Sequence, residues 1–166
     1  MKVKTIVGVL MVVLLFSAAC EKDDICVDGD TPLLRIDFFD DNDASAVKNV
    51  SALQIEGLLN GNEPQGVIPN ISLSAVGLPL RLGTTSTTFI LSQNLTPNDS
   101  TTVNIDTLTF TYSAKEVFVS RACGFIANFD DLGTELTTDP DNWIKRIEIV
   151  DTLVANSESA HVKIFH

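Results

Sequence analysis

The chain has 166 residues with 22 acids against 11 bases, a formal net charge of −11, and 45% of its residues are hydrophobic. That length fits one domain with a substantial core, and the acidic balance argues against a surface that tracks nucleic-acid phosphates. With 20% charged residues and nine Phe, wholesale disorder is excluded as well.

Lys2 and Lys4 precede an apolar run from Ile6 to Phe16, followed by Ser17-Ala18-Ala19-Cys20. The run is too short to span a bilayer, which takes about 20 helical residues. A basic start, a short apolar centre and small residues before a cut predict a secretory signal peptide over residues 1–19. Ser17-Ala18-Ala19-Cys20 resembles the lipobox of bacterial lipoproteins, with Ser17 where that pattern prefers Leu. The resemblance implies that Cys20 is a lipid anchor, its thiol carrying a diacylglycerol and its new amine an acyl chain. Several chains at ~0.8 kcal/mol per buried methylene hold durably where one would be marginal. Plain cleavage after Ala19, with Cys20 left as a thiol, is the alternative.

Residues 20–30 read as the lipidated cysteine and an acidic tether. Within it, Lys22-Asp23-Asp24 resembles the export signal of Bacteroidetes surface lipoproteins. The plainer reading is a charged linker that repels itself and extends. The expected location is the outer membrane, with the cell surface favoured over the periplasmic face. Both compartments are oxidising.

With Cys20 assigned to lipid, Cys26 and Cys123 remain, an even number in a disulfide-permissive compartment. Neither sits in a CxxC or a Cys/His cluster with zinc spacing. A Cys26–Cys123 disulfide is therefore expected, tying the end of the tether to a segment far along the chain. A catalytic cysteine would want a basic neighbour or a histidine. Arg121 is near Cys123, but the histidines, His161 and His166, lie at the far end of the sequence.

Residues 31–166 read as one all-β domain. Leu34, Ile36 and Phe38 share one strand face against Arg35 and Asp37, and Leu53, Ile55 and Gly57 repeat the pattern around Gln54 and Glu56. Further strands are predicted at Phe89-Ile90-Leu91, at Ile105–Tyr112 and at Val117–Val119. Gly124–Phe129, Ile147–Ile149 and Val162–Ile164 complete the set. Period-two alternation, with Thr107, Thr109 and Thr111 opposite Leu108, Phe110 and Tyr112, marks half-buried antiparallel strands. Turns are placed at Asn60–Pro64, Thr96–Asp99 and Asp139–Asn142. A short helical turn is expected over Ala44–Val47, capped by Asp43. About eight or nine strands at this spacing predict an antiparallel β-sandwich, with a barrel as the alternative.

Ile25-Cys26 before Thr31-Pro32-Leu33-Leu34, the run Val119-Ser120-Arg121-Ala122-Cys123-Gly124-Phe125, and Asn142-Trp143-Ile144-Lys145 followed by Ile147-Glu148-Ile149 carry a wider resemblance. They resemble a family of uncharacterised Bacteroidetes lipoproteins, over nearly the whole chain after Cys20. The resemblance implies lipoprotein status and the same cysteine pairing, and it brings no catalytic or binding residue with it.

No catalytic constellation, metal site or cofactor is expected. Asp40, Asp41, Asn42 and Asp43 offer oxygens but lack the glycine and glutamate spacing of a calcium loop, so a polar turn is the better reading. Asp130, Asp131 and Glu135 form a second acidic loop with the same weakness. No GxSxG elbow, P-loop, HExxH or dinucleotide fingerprint is present. If the last strand alternates, the odd offset of His161 and His166 puts them on opposite faces. Asp99-Ser100-Thr101, Asp106-Thr107-Leu108 and Asp151-Thr152-Leu153 look like Bacteroidetes O-glycosylation acceptors, the latter two in expected strands and only the first in a turn. The expected function is that of a lipid-anchored envelope protein acting as a non-catalytic interaction or structural module. Glycan binding for nutrient capture is the alternative, with Trp143 as its exposed platform. A core position for Trp143 is the favoured reading.

Overall fold

The computed structural model describes Cys26 and residues 29–60, 63–95 and 102–166. Nine strands and, among the described residues, no helix make up the domain. They are β1 (Leu34–Phe39), β2 (Val50–Asn60), β3 (Glu63–Leu73), β4 (Ala75–Leu78), β5 (Ser86–Gln93), β6 (Asn104–Ser120), β7 (Gly124–Leu136), β8 (Arg146–Ile149) and β9 (Val162–Phe165). A four-stranded sheet, β4-β1-β9-β8, packs on a five-stranded sheet, β3-β2-β5-β6-β7. The expected β-sandwich is the fold. Pairing is antiparallel in both sheets except between β1 and β9, which run parallel from Ile36↔Val162 to Phe39↔Phe165.

Alternation in the sequence becomes the two inner faces. Leu34, Ile36 and Phe38 from β1 and Val162 and Ile164 from β9 are fully buried. They meet Leu53, Ile55, Phe89, Leu91, Leu108 and Phe110 of the other sheet in one apolar cluster. Each such aliphatic or aromatic side chain contributes on the order of 1.5–3 kcal/mol through burial. Tyr112 joins the cluster at its margin, where its hydroxyl donates to the Arg81 carbonyl at 2.9 Å and accepts from the Arg81 N–H at 3.0 Å.

Four expectations change. Glu63 and Pro64 belong to a strand rather than a turn, and β3 is the edge of its sheet. An edge tolerates Pro64 and Pro69 because one side of the strand needs no donor. Val117–Val119 is not a separate strand but the end of the 17-residue β6. Ala44–Val47 is not a helical turn: Asp43–Ala46 is a β-turn, and Val47 bridges to Phe39. The Ala46 N–H donates to the Asp43 carbonyl at 2.9 Å, and the Asp43 carboxylate accepts from the Ser45 N–H at 3.0 Å. Asp130, Asp131 and Glu135 lie within β7 and not in a loop. Glu135 pairs with Thr109, and Asp131 takes a left-handed φ of 57° beside the register shift that separates the two ends of the ladder.

The outer edge of β7 is covered by the segment after β8. Phe129 and Val154 exchange backbone hydrogen bonds at 3.1 and 2.8 Å, and the Leu132 N–H donates to Thr152 at 3.0 Å. This keeps a long strand from presenting unpaired donors and acceptors to another chain.

Candidate functional site

β6 and β7 run past the end of the sandwich. From Ser113 to Phe118 every residue is exposed, after the regular in-out pattern of Ile105–Tyr112. The two strands stay paired there, from Ser113↔Asp130 to Ser120↔Gly124, as a two-stranded arm. Lys115 and Asp130 form an ion pair across it, and that hydrogen bond raises the Lys115 ammonium above its ordinary pKa. Gly124 closes the turn with φ of +72°, a conformation that L side chains rarely adopt.

Cys26 and Cys123 are joined at this tip, with Cα atoms 4.9 Å apart and a sequence separation of 97. The expected disulfide is present. A loop of that length corresponds to about 4–5 kcal/mol in the chain-entropy account. Gly29 is the residue that sequence reasoning missed here. A Cβ at Gly29 would land on the Cys26 sulfur and lie 3.1 Å from the Cys123 sulfur, so the chain crosses the bridge only because that position has no side chain. From there the segment returns to the sandwich. The Ala127 N–H donates to the Thr31 hydroxyl at 3.4 Å, and the Leu33 N–H donates to the Ser157 hydroxyl at 2.8 Å.

The arm carries an unsheltered aromatic pair. Phe118 and Phe125 face each other across the strands edge to face, with ring centroids 5.3 Å apart, and are 56% and 65% exposed. Leu82, 62% exposed, lies across a cleft of about 240 Å³ that Phe125, Ala114 and Thr31 also line.

At the other end of β6 is a polar cleft of about 420 Å³, lined by Lys48, Asn49, Gln93, Asn104, Lys145 and His166 among others. Lys48 donates to the His166 carbonyl at 2.6 Å and pairs with Asp40 at 3.3 Å. Burial, with the Lys48 charge adding to it, holds the His166 imidazole below its ordinary pKa. The cleft thus offers ammonium and amide donors beside amide oxygens, a set suited to hydroxyl and carboxylate groups.

Trp143 forms the inner wall at this end and belongs to the core, 4% exposed, with its indole N–H donating to the Leu91 carbonyl at 3.3 Å. It is held there by Asp106, a fully buried carboxylate that accepts from the Ile144 N–H at 2.8 Å and from the Asn142 amide at 3.2 Å. The polar sequence around Asp106 gave no hint of that role, because the partners lie 36 to 38 residues away.

Cys20, Lys22, Asp23 and Asp24, the expected signal segment 1–19 and the Asp99-Ser100-Thr101 motif lie outside the described residues. Asp106-Thr107-Leu108 is in β6, as expected, whereas Asp151-Thr152-Leu153 is an exposed loop and not a strand. The Asp40 and Asp43 carboxylates are engaged locally, and Asp41 faces Arg146 at 3.8 Å. Asp40 accepts from the Asn42 N–H at 2.8 Å, and the hydrogen bonds from Asn42 and Ser45 hold Asp40 and Asp43 below the usual carboxylate range. Among the described residues, no three His, Cys, Asp or Glu side chains are grouped to hold a metal ion. His161 and His166 occupy separate surroundings, His161 under β1 and His166 beside Lys48.

These features define an all-β sandwich with a covalently pinned arm at one end and a polar cleft at the other. The chain belongs to a family of unknown function, DUF6452, whose model matches residues 52–166. The match begins within β2, so β1 and Cys26 stand before it. No curated protein and no solved structure matches the chain.

Proposed function

We propose that this protein is a Bacteroidetes outer-membrane lipoprotein, held by lipid on Cys20 and displayed on the cell surface as a non-catalytic interaction or structural module. Residues 1–19 serve as its signal peptide and Lys22-Asp23-Asp24 as its export signal. The observation that carries this reading is the disulfide at the tip of the arm. It fastens Cys26, only six positions after Cys20, to a rigid β-hairpin, so that a pull or a thermal excursion at the anchor is borne by a covalent bond. An oxidising compartment, which the bridge requires, is where a secreted lipoprotein resides.

Growth with an alkyne-bearing fatty acid, followed by click labelling of the full chain, tests the anchor. Label is expected on the wild type and absent from Cys20→Ala; label that persists in Cys20→Ala, or is missing from the wild type, overturns it. Protease shaving of intact cells tests display, with loss of the domain expected at the surface and protection expected in the periplasm.

A second reading, glycan binding, is favoured by one observation, the polar cleft around Lys48, Asn104 and Lys145. It cannot use Trp143 as a platform, because that ring is in the core. Binding of acidic oligosaccharides that is lost in Lys48→Ala with Lys145→Ala would establish it.

A further inference from the structure

We propose that the β6–β7 arm rests in the headgroup layer of the membrane, with the Phe118–Phe125 pair as its lipid-contacting element. This rests on the reading of Cys20 as a lipid anchor. Covalent geometry sets the reach: Cys20 and Cys26 are six residues apart, at most about 20 Å of extended chain. Cys26 is bonded to Cys123, which is two residues from Phe125. The exposed aromatic pair is therefore held close to the acyl chains by bonds rather than by chance encounter.

The chemistry of the arm fits that surface. Interfacial elements bury Phe, Trp and Leu side chains about 5–10 Å into the boundary between headgroups and acyl chains, where apolar surface leaves water while the backbone nearby stays hydrated. Phe118 and Phe125 lie directly opposite each other, just before the Ser120↔Gly124 pair that closes the hairpin. At about 3.3 Å per residue this sets them roughly 7–10 Å behind the turn, within the depth to which interfacial elements insert. Charge does not oppose that seat. The chain carries 22 acids and 11 bases, yet the paired arm, Ser113–Asp130, holds two of each, Lys115 and Arg121 against Glu116 and Asp130. A segment without net charge in an acidic protein escapes the repulsion that the rest of the chain would meet at an anionic lipid surface. Leu82, exposed across the cleft from Phe125, extends the apolar edge.

The outer end of the arm buries nothing in the sandwich core: none of the residues from Ser113 to Ile126 is in the apolar cluster, which takes in only Ala127 and Phe129 at the arm's base. Exposed aromatics that do not support the fold mark a contact surface. Seated this way, β6 stands off the membrane. Its 17 residues span on the order of 50 Å and carry the polar cleft to the far end.

The test uses the full chain produced with its leader in a lipoprotein-processing host, in three forms: wild type, Phe118→Trp and Phe125→Trp. Each is mixed with vesicles of phosphatidylethanolamine and phosphatidylglycerol whose acyl chains carry bromine near the headgroup. Mass spectrometry of the N-terminal peptide reports acylation of Cys20 independently. The inserted tryptophans are expected to shift to the blue and lose emission to bromine, while Trp143, buried at the other end, does not. An acylated, vesicle-bound protein whose arm tryptophans emit as in water and are unquenched overturns the inference and leaves the anchor reading intact. Quenching in a chain without acyl groups overturns the anchor reading and supports lipid contact by the arm itself. Neither acylation nor quenching overturns both. A blue shift that grows with protein concentration in the absence of vesicles shows the arm pairing with a second copy, and overturns lipid contact.

Discussion

The two halves of β6 follow different rules. Asn104–Tyr112 alternates buried and exposed, and its inward side chains Asp106, Leu108, Phe110 and Tyr112 are locked into the sandwich. Ser113–Ser120 continues the same strand with the same partner, yet Ser113–Phe118 is exposed throughout. One half is held by packing, the other by a ladder of hydrogen bonds, an ion pair and a disulfide. Strand formation and core formation are thus separable: pairing continues wherever a partner strand is at hand, whereas burial along β6 stops after Tyr112, although Ala127 and Phe129 on the partner strand still reach the core.

The contrast is sharpened most by paired truncations of like residues. Phe110→Ala, in the inner half, is expected to lower unfolding free energy by about 3–5 kcal/mol, since it deletes a fully buried ring and leaves a cavity. Denaturant titration of the purified domain measures it. Next in size is replacement of Cys26 and Cys123 together by serine, expected to cost about 2–4 kcal/mol. Its further expected mark is faster proteolysis near Arg121 and Ala122, because the turn loses its tie to the N-terminal segment. Cleavage unchanged by the loss of the bridge would mean that the hydrogen-bond ladder alone holds the arm.

A smaller effect concerns pH and the core half. His161 is fully buried, its Nδ1 accepting from the Arg35 N–H at 3.0 Å, so the proton of the neutral ring sits on Nε2. Burial holds its pKa below the ordinary value of 6.5, and the Asp151 charge opposes this more weakly. The unfolded chain therefore binds a proton more readily than the folded one. The stability from this group is complete above pH ~6.5 and declines as the pH falls from there through the lowered folded value. His161→Asn keeps an acceptor near Arg35 and removes the titration. A melting temperature that depends less on pH between neutrality and mild acid is the expected result, and an unchanged slope would assign the acid sensitivity to other groups. The smallest effect is Phe118→Ala, expected to stay within ~0.5 kcal/mol because the ring is exposed and lies outside the apolar cluster. A larger loss would show that the arm stabilises the sandwich after all.

How much of this was legible in the sequence depends on where the determining partner lies. The inner faces of β1, β5 and the first half of β6 could be read directly, because period-two alternation reports a sheet with one dry face. β3 could not: an exposed edge strand has no dry face to impose alternation, and Pro64 and Pro69 resemble turn residues. The continuity of β6 was hidden for the same reason. Ser113, Ala114, Lys115 and Glu116 break the apolar rhythm, although the strand runs on through them and stays paired with β7 beyond the register shift between Thr111 and Ser113. The cysteine pair was legible from counting, since reading Cys20 as the lipid-bound residue leaves two thiols. The cost of bringing them together, a glycine at position 29, was not, because the need for it arises only when the chain crosses the formed bridge.

By itself the sequence determined the all-β class, the inward faces of the principal strands and the partnership of Cys26 with Cys123. Each of these is written in local periodicity or in the number of residues able to react. Only the tertiary structure decided that β9 runs parallel to β1, that Asp106 holds Trp143 in the core, and that Phe118 and Phe125 stand on an arm beyond the second sheet. Those outcomes depend on groups distant in the chain, where the energy of an arrangement is set by which surfaces meet and not by the neighbours along the backbone.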